Sequence, residues 1–282
     1  MNRQSLSPDK PYLVIHEPEP DGQGGQVETT TVFLTVSSCP IGCSMCDLHL
    51  NTLPTATPVG AVPRQIETAV ADSDAKWLKL YNSGNFFDPR SIPPRDHRAI
   101  AQHCQRFERV IVENHPRFGL QRLQEFQQLM PMQIEVAVGL ETVQPRWLKR
   151  LGKQMSRDEF GAYANVLRER GIDLRVFLIL GVPGISARES IRWARLSVRH
   201  AIASSARHIS IIPARSGHGW NGQSDQLPTF SLDQLGEIQH QLLTDADGQA
   251  AITLDLWDVD RNREQRAKLQ RANLEQTAWP TK

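Results

Sequence analysis

The chain has 282 residues, of which 39% are hydrophobic and 22% charged, and its formal net charge at pH 7 is +1. The near balance of charge argues against a broad polyanion-binding surface, and no apolar run approaches the roughly 20 residues of a membrane-spanning helix. Four cysteines are too few for a disulfide framework in a chain of this length, so a cytoplasmic location is expected.

Residues 1–28 contain four prolines and three closely spaced glycines, which predicts an extended, partly mobile leader. From residue 29 onward, short apolar runs alternate with helical patterns. Strands are predicted at 31–37, 76–82, 108–113, 133–140, 173–181 and 207–213, and helices at 62–72, 95–106, 117–129, 145–170 and 186–204. Six such β-then-α units indicate a parallel sheet with crossover helices.

Six strands are too few to close an eight-stranded barrel, so the expected fold class is α/β, a partial (β/α)6 barrel similar to the TIM barrel, with short terminal extensions. The expected domains are the leader 1–28, a core 29–230 and a C-terminal extension 231–282. Within that extension a helix at 231–244, a strand-like run at 252–256 and a helical tail at 258–276 are predicted. Ligands of such sheets bind at the carboxyl ends of the strands.

Three of the four cysteines, Cys39, Cys43 and Cys46, lie within eight residues with the spacing C-x3-C-x2-C, directly after the predicted strand 31–37. Three thiolates can hold three irons of a four-iron cluster and leave the fourth iron open for chemistry. Zinc is the alternative, because His49 could complete a tetrahedral set. Cys104 lies in a predicted helix and is interpreted as a buried bystander thiol.

The cysteine loop resembles the signature of the radical S-adenosylmethionine (SAM) superfamily, and the resemblance covers residues 30–215. It implies one [4Fe-4S] cluster on the three loop cysteines, with SAM bound at the open iron. In this family one electron cleaves SAM to methionine and a 5′-deoxyadenosyl radical, which abstracts hydrogen from the substrate. A low-potential electron donor of the flavodoxin or ferredoxin type is then required. With three cluster cysteines and no second motif, no auxiliary cluster is expected.

The resemblance also implies contacts to SAM. Ser83, Gly84 and Asn85 follow the second predicted core strand, where the family has a Gly-Gly-Glu segment whose backbone meets the methionine amino group. Small residues there permit close approach of the main chain to a ligand. A plain Asn-Ser-Gly-Asn turn explains the composition equally well. Asn85 stands in place of the usual acid.

Two acids, Glu113 and Glu141, follow the next two strands. By resemblance, Glu141 contacts the SAM carboxylate or ribose, and Lys153 delivers a positive charge to the carboxylate. The alternatives are a helix-capping role for Glu141 and a solvent-facing side chain for Lys153. Glu113 is a further candidate contact, and His115 is interpreted as a packed loop histidine.

The adenine of SAM has its own predicted contacts. Gly181 and Gly184 belong to a Gly-Val-Pro-Gly turn that resembles the family segment whose backbone approaches the base. Met45 occupies a position that is commonly aromatic in the family, and its polarizable sulfur can fill that space.

Three segments together, Tyr-Asn-Ser-Gly-Asn-Phe-Phe-Asp at 81–88, Gly-Leu-Glu-Thr at 139–142 and Lys153, resemble the radical SAM enzymes of archaeosine formation and, more distantly, the catalytic subunit of elongator. This resemblance implies an oxidoreductase-type enzyme of tRNA modification. One alternative is the same chemistry on a small metabolite or peptide. The other is a non-catalytic binding module stabilised by zinc or a cluster.

Overall fold

The computed structural model describes residues 6–215, 219–257 and 263–276. Its strands form one sheet with the order β1 to β8, the same as their order along the chain. They are β1 (Leu13–Pro20), β2 (Gln26–Leu34), β3 (Trp77–Asn82), β4 (Arg109–Glu113), β5 (Gln133–Glu141), β6 (Asp173–Leu180), β7 (Ala206–Pro213) and β8 (Ala251–Leu254). The pairs from β2 to β5 and from β6 to β8 are parallel.

Helices connect these parallel strands, and a last helix follows β8. They are α1 (Ala61–Val70), α2 (His97–Cys104), α3 (Leu120–Leu129), α4 (Pro145–Arg150), α5 (Arg157–Glu169), α6 (Ala187–Ala203), α7 (Leu232–Ala246) and α8 (Arg263–Leu274). Val176, Leu178 and Leu180 of β6 have no exposed surface, as expected for a strand in a covered parallel sheet. The expected fold class, a partial TIM-like α/β barrel, is confirmed, and β2 to β7 correspond to the six predicted strands.

The single helix predicted at 145–170 is wrong, because the structure has two helices there. After α4, Gly152 adopts φ +65°, its N–H donates to Lys149 O, and Lys153 N–H donates to Leu148 O at 3.1 Å. These two bonds form a Schellman motif, which ends a helix and favours glycine at the left-handed position. Ser156 then starts α5 through a capping box with Glu159.

The segment predicted as a leader contributes a strand that the sequence pattern did not reveal. β1 contains Pro18 and Pro20, which weaken a strand pattern because proline cannot donate to a ladder. The sheet order places β1 at one edge, where proline is tolerated.

The opposite edge strand, β8, is covered by two side-chain amides, one within α8 and one just after it. Asn273 accepts from Leu254 N–H at 2.8 Å and donates to Leu254 O at 2.9 Å, and Gln276 makes the same pair of bonds to Ile252, both at 3.0 Å. The amides satisfy backbone groups that an edge strand otherwise leaves open. The predicted tail helix is present as α8, while residues 258–262 lie outside the described residues.

The chain divides into two compact units. The first comprises residues up to Pro18, Val27–Gly42 and Asp47–Val138, and the second comprises Glu19–Gln26, Cys43–Cys46 and the residues from Gly139 onward. The boundaries predicted after residues 28 and 230 stay predictions. In the described part of the chain, no helix combines the length and apolar character needed to cross a bilayer.

Candidate functional site

In the first unit, Cys39 is tied to the loop that follows β3. Its N–H donates to Ser83 O at 3.2 Å, and its Sγ accepts from Asn85 Nδ2 at 3.2 Å. Asn85 is only 3% exposed, and its Oδ1 accepts from His115 N–H at 2.9 Å. The structure therefore brings the first cysteine together with the predicted Ser83-Gly84-Asn85 segment.

The end of β3 and the loop after it contain buried polar atoms that have no hydrogen-bond partner among the described residues. They are Oγ of Ser83 and both side-chain polar atoms of Asn82. A Cβ on Gly84 would collide with Ser91 Oγ and lie 3.1 Å from Ser37 O, so the backbone there leaves no room for a side chain. Buried polar groups without partners are costly, and at a strand end they indicate a position prepared for a ligand. Asn82 was not identified from the sequence as a candidate site residue, because its position at the end of a strand pattern does not set it apart from other strand ends.

Glu113 and His115 shape this loop from β4. Glu113 Oε2 accepts from Asn82 N–H and its carbonyl accepts from Phe86 N–H, both at 2.9 Å. His115 is buried, and its Nδ1 accepts from Arg117 N–H at 3.2 Å. His115 is thus a packed loop histidine, as interpreted from the sequence, and Glu113 supports the β3 loop.

In the second unit, Cys43 and Cys46 belong to a tight turn, in which Cys46 N–H donates to Cys43 O at 3.1 Å. The turn is held to the end of α4, because Ser44 N–H donates to Leu151 O at 2.9 Å. Met45 packs against an apolar cluster formed by Trp147, Leu151, Val182 and Trp220.

The predicted glycine turn contributes to this cluster through Val182. Gly181 has φ +99°, and a Cβ there would lie 2.9 Å from Pro228 Cγ. Gly184 has φ +78°, and its N–H donates to Gln226 O at 3.0 Å. Both glycines adopt a backbone conformation that other residues rarely enter. The structure therefore brings Met45 and the Gly181–Gly184 turn into one apolar region.

Glu141 and Lys153 form a buried ion pair, with Nζ 2.7 Å from Oε1 and exposures of 7% and 8%. Glu141 has φ +66°, and Thr142 N–H donates to Leu140 O across it, which makes a strained three-residue turn at the end of β5. The alternative of a solvent-facing Lys153 is wrong, because its side chain is buried against Glu141. The capping alternative for Glu141 is also wrong, since the N-cap of α4 is Gln144 and makes no side-chain cap bond.

The donor chemistry of the loop suits a thiolate-bound cluster. Cys39, Cys43 and Cys46 take part in no disulfide among the described residues and are half-buried. Cys104 is fully buried, and this burial raises the pKa of its thiol to about 12, which disfavours the thiolate that binds metals. Across residues 6–215, 219–257 and 263–276, no group of three His, Cys, Asp or Glu side chains is arranged to hold a metal ion.

No protein-family model matches the chain. It is 21% identical over 203 residues to an uncharacterized protein of Methanocaldococcus jannaschii, which covers 66% of this chain and 56% of that protein. A second uncharacterized protein, from Methanopyrus kandleri, is 25% identical over 186 residues, covering 61% of this chain and 35% of that protein. The chain thus spans little more than half the length of the first relative and a smaller share of the second.

Solved structures resemble the chain more extensively. SuiB of Streptococcus suis, solved with SAM bound, has a TM-score of 0.55 and 13% identity over 79% of this chain and 49% of SuiB. Methylornithine synthase (PylB) has a TM-score of 0.58 and 12% identity over 88% of this chain and 82% of PylB. Coproporphyrinogen III oxidase (HemN) from Escherichia coli, a radical SAM enzyme, has a TM-score of 0.52 and 12% identity over 87% of this chain and 54% of HemN. At these identities the likeness concerns the architecture, and the chain has a fold shared with radical SAM enzymes.

Proposed function

We propose that this chain is a radical SAM enzyme that binds one [4Fe-4S] cluster through Cys39, Cys43 and Cys46. The observation that carries the proposal is the C-x3-C-x2-C loop that begins five residues after the end of β2, on a fold shared with SAM-bound SuiB and with HemN. Three thiolates leave one iron of such a cluster available to a ligand other than the protein. A reducing cytoplasm and a flavodoxin- or ferredoxin-type electron donor belong to the same proposal.

Reduction of the bound cluster would supply the electron that cleaves SAM and generates the 5′-deoxyadenosyl radical. The role of the chain's own residues is to bind SAM and to orient it. Ser83 offers a buried hydroxyl that has no partner among the described residues. The main chain at Gly84, packed closely against Ser91 and Ser37, would be held where it meets the methionine amino group. The Glu141–Lys153 pair offers both signs of charge, which suits the carboxylate and ribose hydroxyls of SAM.

For the adenine, we propose the apolar cluster of Trp147, Leu151, Val182 and Trp220, with Met45 packed against it. Aromatic and thioether groups give flat, polarizable contacts to a base. An apolar lining also keeps water away from a reactive intermediate. Gly181 and Gly184 leave the first and last positions of the adjacent turn without a side chain.

The substrate class follows from weaker indications. A tRNA base is implied by the sequence resemblance at residues 81–88 and 139–142, whereas the net charge of +1 favours a small metabolite or peptide. SuiB has been solved with a precursor peptide bound, and HemN is named for a porphyrinogen substrate, so the shared fold does not select a substrate. Retention of labelled tRNA that falls steeply with rising salt would favour the tRNA substrate, because phosphate contacts release counterions.

The deciding experiment is anaerobic reconstitution with iron and sulfide, followed by reduction with dithionite in the presence of SAM. We expect about four irons per chain and release of 5′-deoxyadenosine, measured by mass spectrometry. About eight irons would contradict the expectation of a single cluster. A chain that instead holds one zinc ion and cleaves no SAM would support the binding-module alternative.

A further inference from the structure

The side chain of Asn85 makes two hydrogen bonds, one through each polar atom of its amide. Its Nδ2 lies 3.2 Å from Cys39 Sγ, and its Oδ1 lies 2.9 Å from His115 N. At 3% exposure, the amide has little competition from solvent. Both partners belong to the first compact unit, so these contacts lie within one body.

The orientation of this amide follows from its partners. Oxygen and nitrogen of an asparagine amide are assigned from the hydrogen-bond network. A backbone N–H can only donate, so the atom that faces His115 must be the oxygen. The NH2 group is therefore the one that faces Cys39, and an N–H hydrogen lies between nitrogen and sulfur.

Further bonds fix the two residues relative to each other. Cys39 N–H donates to Ser83 O, two residues before Asn85, and Asp88 N–H donates to Asn85 O at 3.0 Å. The backbones of Cys39 and Asn85 are thus both hydrogen-bonded to the loop that follows β3. A side chain positioned this way loses little further entropy when it makes its hydrogen bond.

We infer that Asn85 is a positioning residue that donates a hydrogen bond to the Cys39 thiolate and raises the reduction potential of the cluster. This inference rests on the proposed function. Hydrogen bonds to the sulfurs are among the factors that set the potential of an iron–sulfur cluster. The bond stabilises the more negative, reduced state more strongly, because a donor interacts best with the greater negative charge.

The inference changes the role expected for residue 85. A carboxylate accepts hydrogen bonds only and has no proton to offer a thiolate. The amide found here serves Cys39 with its nitrogen and His115 with its oxygen. The residue therefore acts on the cluster ligand, in contrast to the contact with the SAM amino group that the resemblance implied.

The test uses two substitutions, Asn85→Leu and Asn85→Asp, with Asn114→Leu as the matched control. Leucine removes the donor without adding charge, and aspartate keeps the shape but cannot donate. Asn114 is also a buried amide of this unit, and its Nδ2 donates to the carbonyls of His115 and Phe118, both at 3.0 Å. The measurement is the midpoint potential of the reconstituted cluster, from a redox titration followed by electron paramagnetic resonance.

We expect Asn85→Leu to retain about four irons per chain and to lower the equilibrium constant for reduction about tenfold, a shift of about 59 mV to more negative potential. Asn85→Asp should shift the potential further, since it adds negative charge, and Asn114→Leu should leave it unchanged. If Asn85→Leu assembles no cluster, the midpoint potential of Asn85→Asp tests the inference in its place.

Two failures are distinguishable. A parent chain that assembles no cluster overturns the proposed function and this inference with it. A parent cluster whose potential does not respond to residue 85, or responds equally to Asn114→Leu, overturns the inference alone. Weaker SAM binding with an unchanged potential would return Asn85 to a ligand-contact role.

Discussion

The strand ends of the two compact units differ in how their polar groups are satisfied. In the first unit, Ser83 and Asn82 bury neutral polar atoms that have no partner among the described residues. In the second unit, Glu141 and Lys153 compensate each other's charge at 2.7 Å. The first arrangement is incomplete without a ligand, and the second is already part of the folded structure. Substitution of Ser83 or Asn82 should therefore mainly affect function, whereas breaking the Glu141–Lys153 pair should mainly affect stability.

The cysteine loop should give the largest effect on function, because its three thiolates are the proposed ligands of the cluster. We expect Cys43→Ala to reduce SAM cleavage to background while the far-ultraviolet circular dichroism stays that of the parent. Loss of a ligand removes the reaction centre, whereas the core strands do not depend on it. Cys104→Ala is the control and should keep about four irons and full cleavage. An unfolded Cys43→Ala chain would show that this loop also supports the fold.

Breaking the ion pair tests the second unit directly. We expect Lys153→Met to lower the free energy of unfolding by about 3–5 kcal/mol, because it leaves the buried Glu141 carboxylate without its cation. Urea denaturation of the reduced apoprotein measures the change. The double variant Lys153→Met with Glu141→Leu should recover most of the loss, since it buries no uncompensated charge. A loss below about 1 kcal/mol, typical of an exposed pair, would contradict the buried character of this interaction.

Acid should weaken the first unit through His97, which packs among the rings of Phe86, Phe87 and Phe126. Burial, reinforced by the charge of Arg122, lowers the pKa of His97 to about 4. The unfolded chain therefore binds more protons as the pH falls below about 6.5, and up to about 3 kcal/mol of stability is lost by pH 4. Urea denaturation at several values from pH 7 to pH 4 should show that the free energy of unfolding of His97→Phe depends less on pH than that of the parent. Equal pH profiles would exclude His97 as the source.

Adding a methyl group at Gly84 tests how closely the backbone of the loop after β3 is packed. Gly84→Ala should destabilise the chain by about 1–3 kcal/mol, because the new Cβ meets Ser91, Ser37 and Asn82. Gly161→Ala in α5 is the matched control, with nothing within 4 Å of its new Cβ, and it should stabilise by up to about 1 kcal/mol. Thermal unfolding distinguishes the two. Similar melting temperatures would mean that the loop relaxes around the added group.

Local signals predicted most of the fold. The helix end predicted at residue 170 is confirmed, since Ile172 N–H donates to Leu167 O and Gly171 adopts φ +67°. The break between α4 and α5 was missed, although Gly152 and the box that starts at Ser156 were visible in the sequence. The helical periodicity on both sides outweighed these two stop and start signals, because each signal involves only a few residues. β1 was missed for a different reason, as its prolines weaken the pattern that an edge strand nevertheless tolerates.

The amino-acid sequence by itself determined the alternation of strands and helices and the spacing of Cys39, Cys43 and Cys46, because hydrophobic period and motif spacing are properties of neighbouring residues. Only the tertiary structure decided what these groups contact. The bond from Asn85 to Cys39 joins residues 46 positions apart, and the bond from Lys153 to Glu141 joins residues on either side of α4, which ends two residues before Gly152. Such contacts are set by how strand ends meet in the sheet, and this arrangement leaves no trace in local composition.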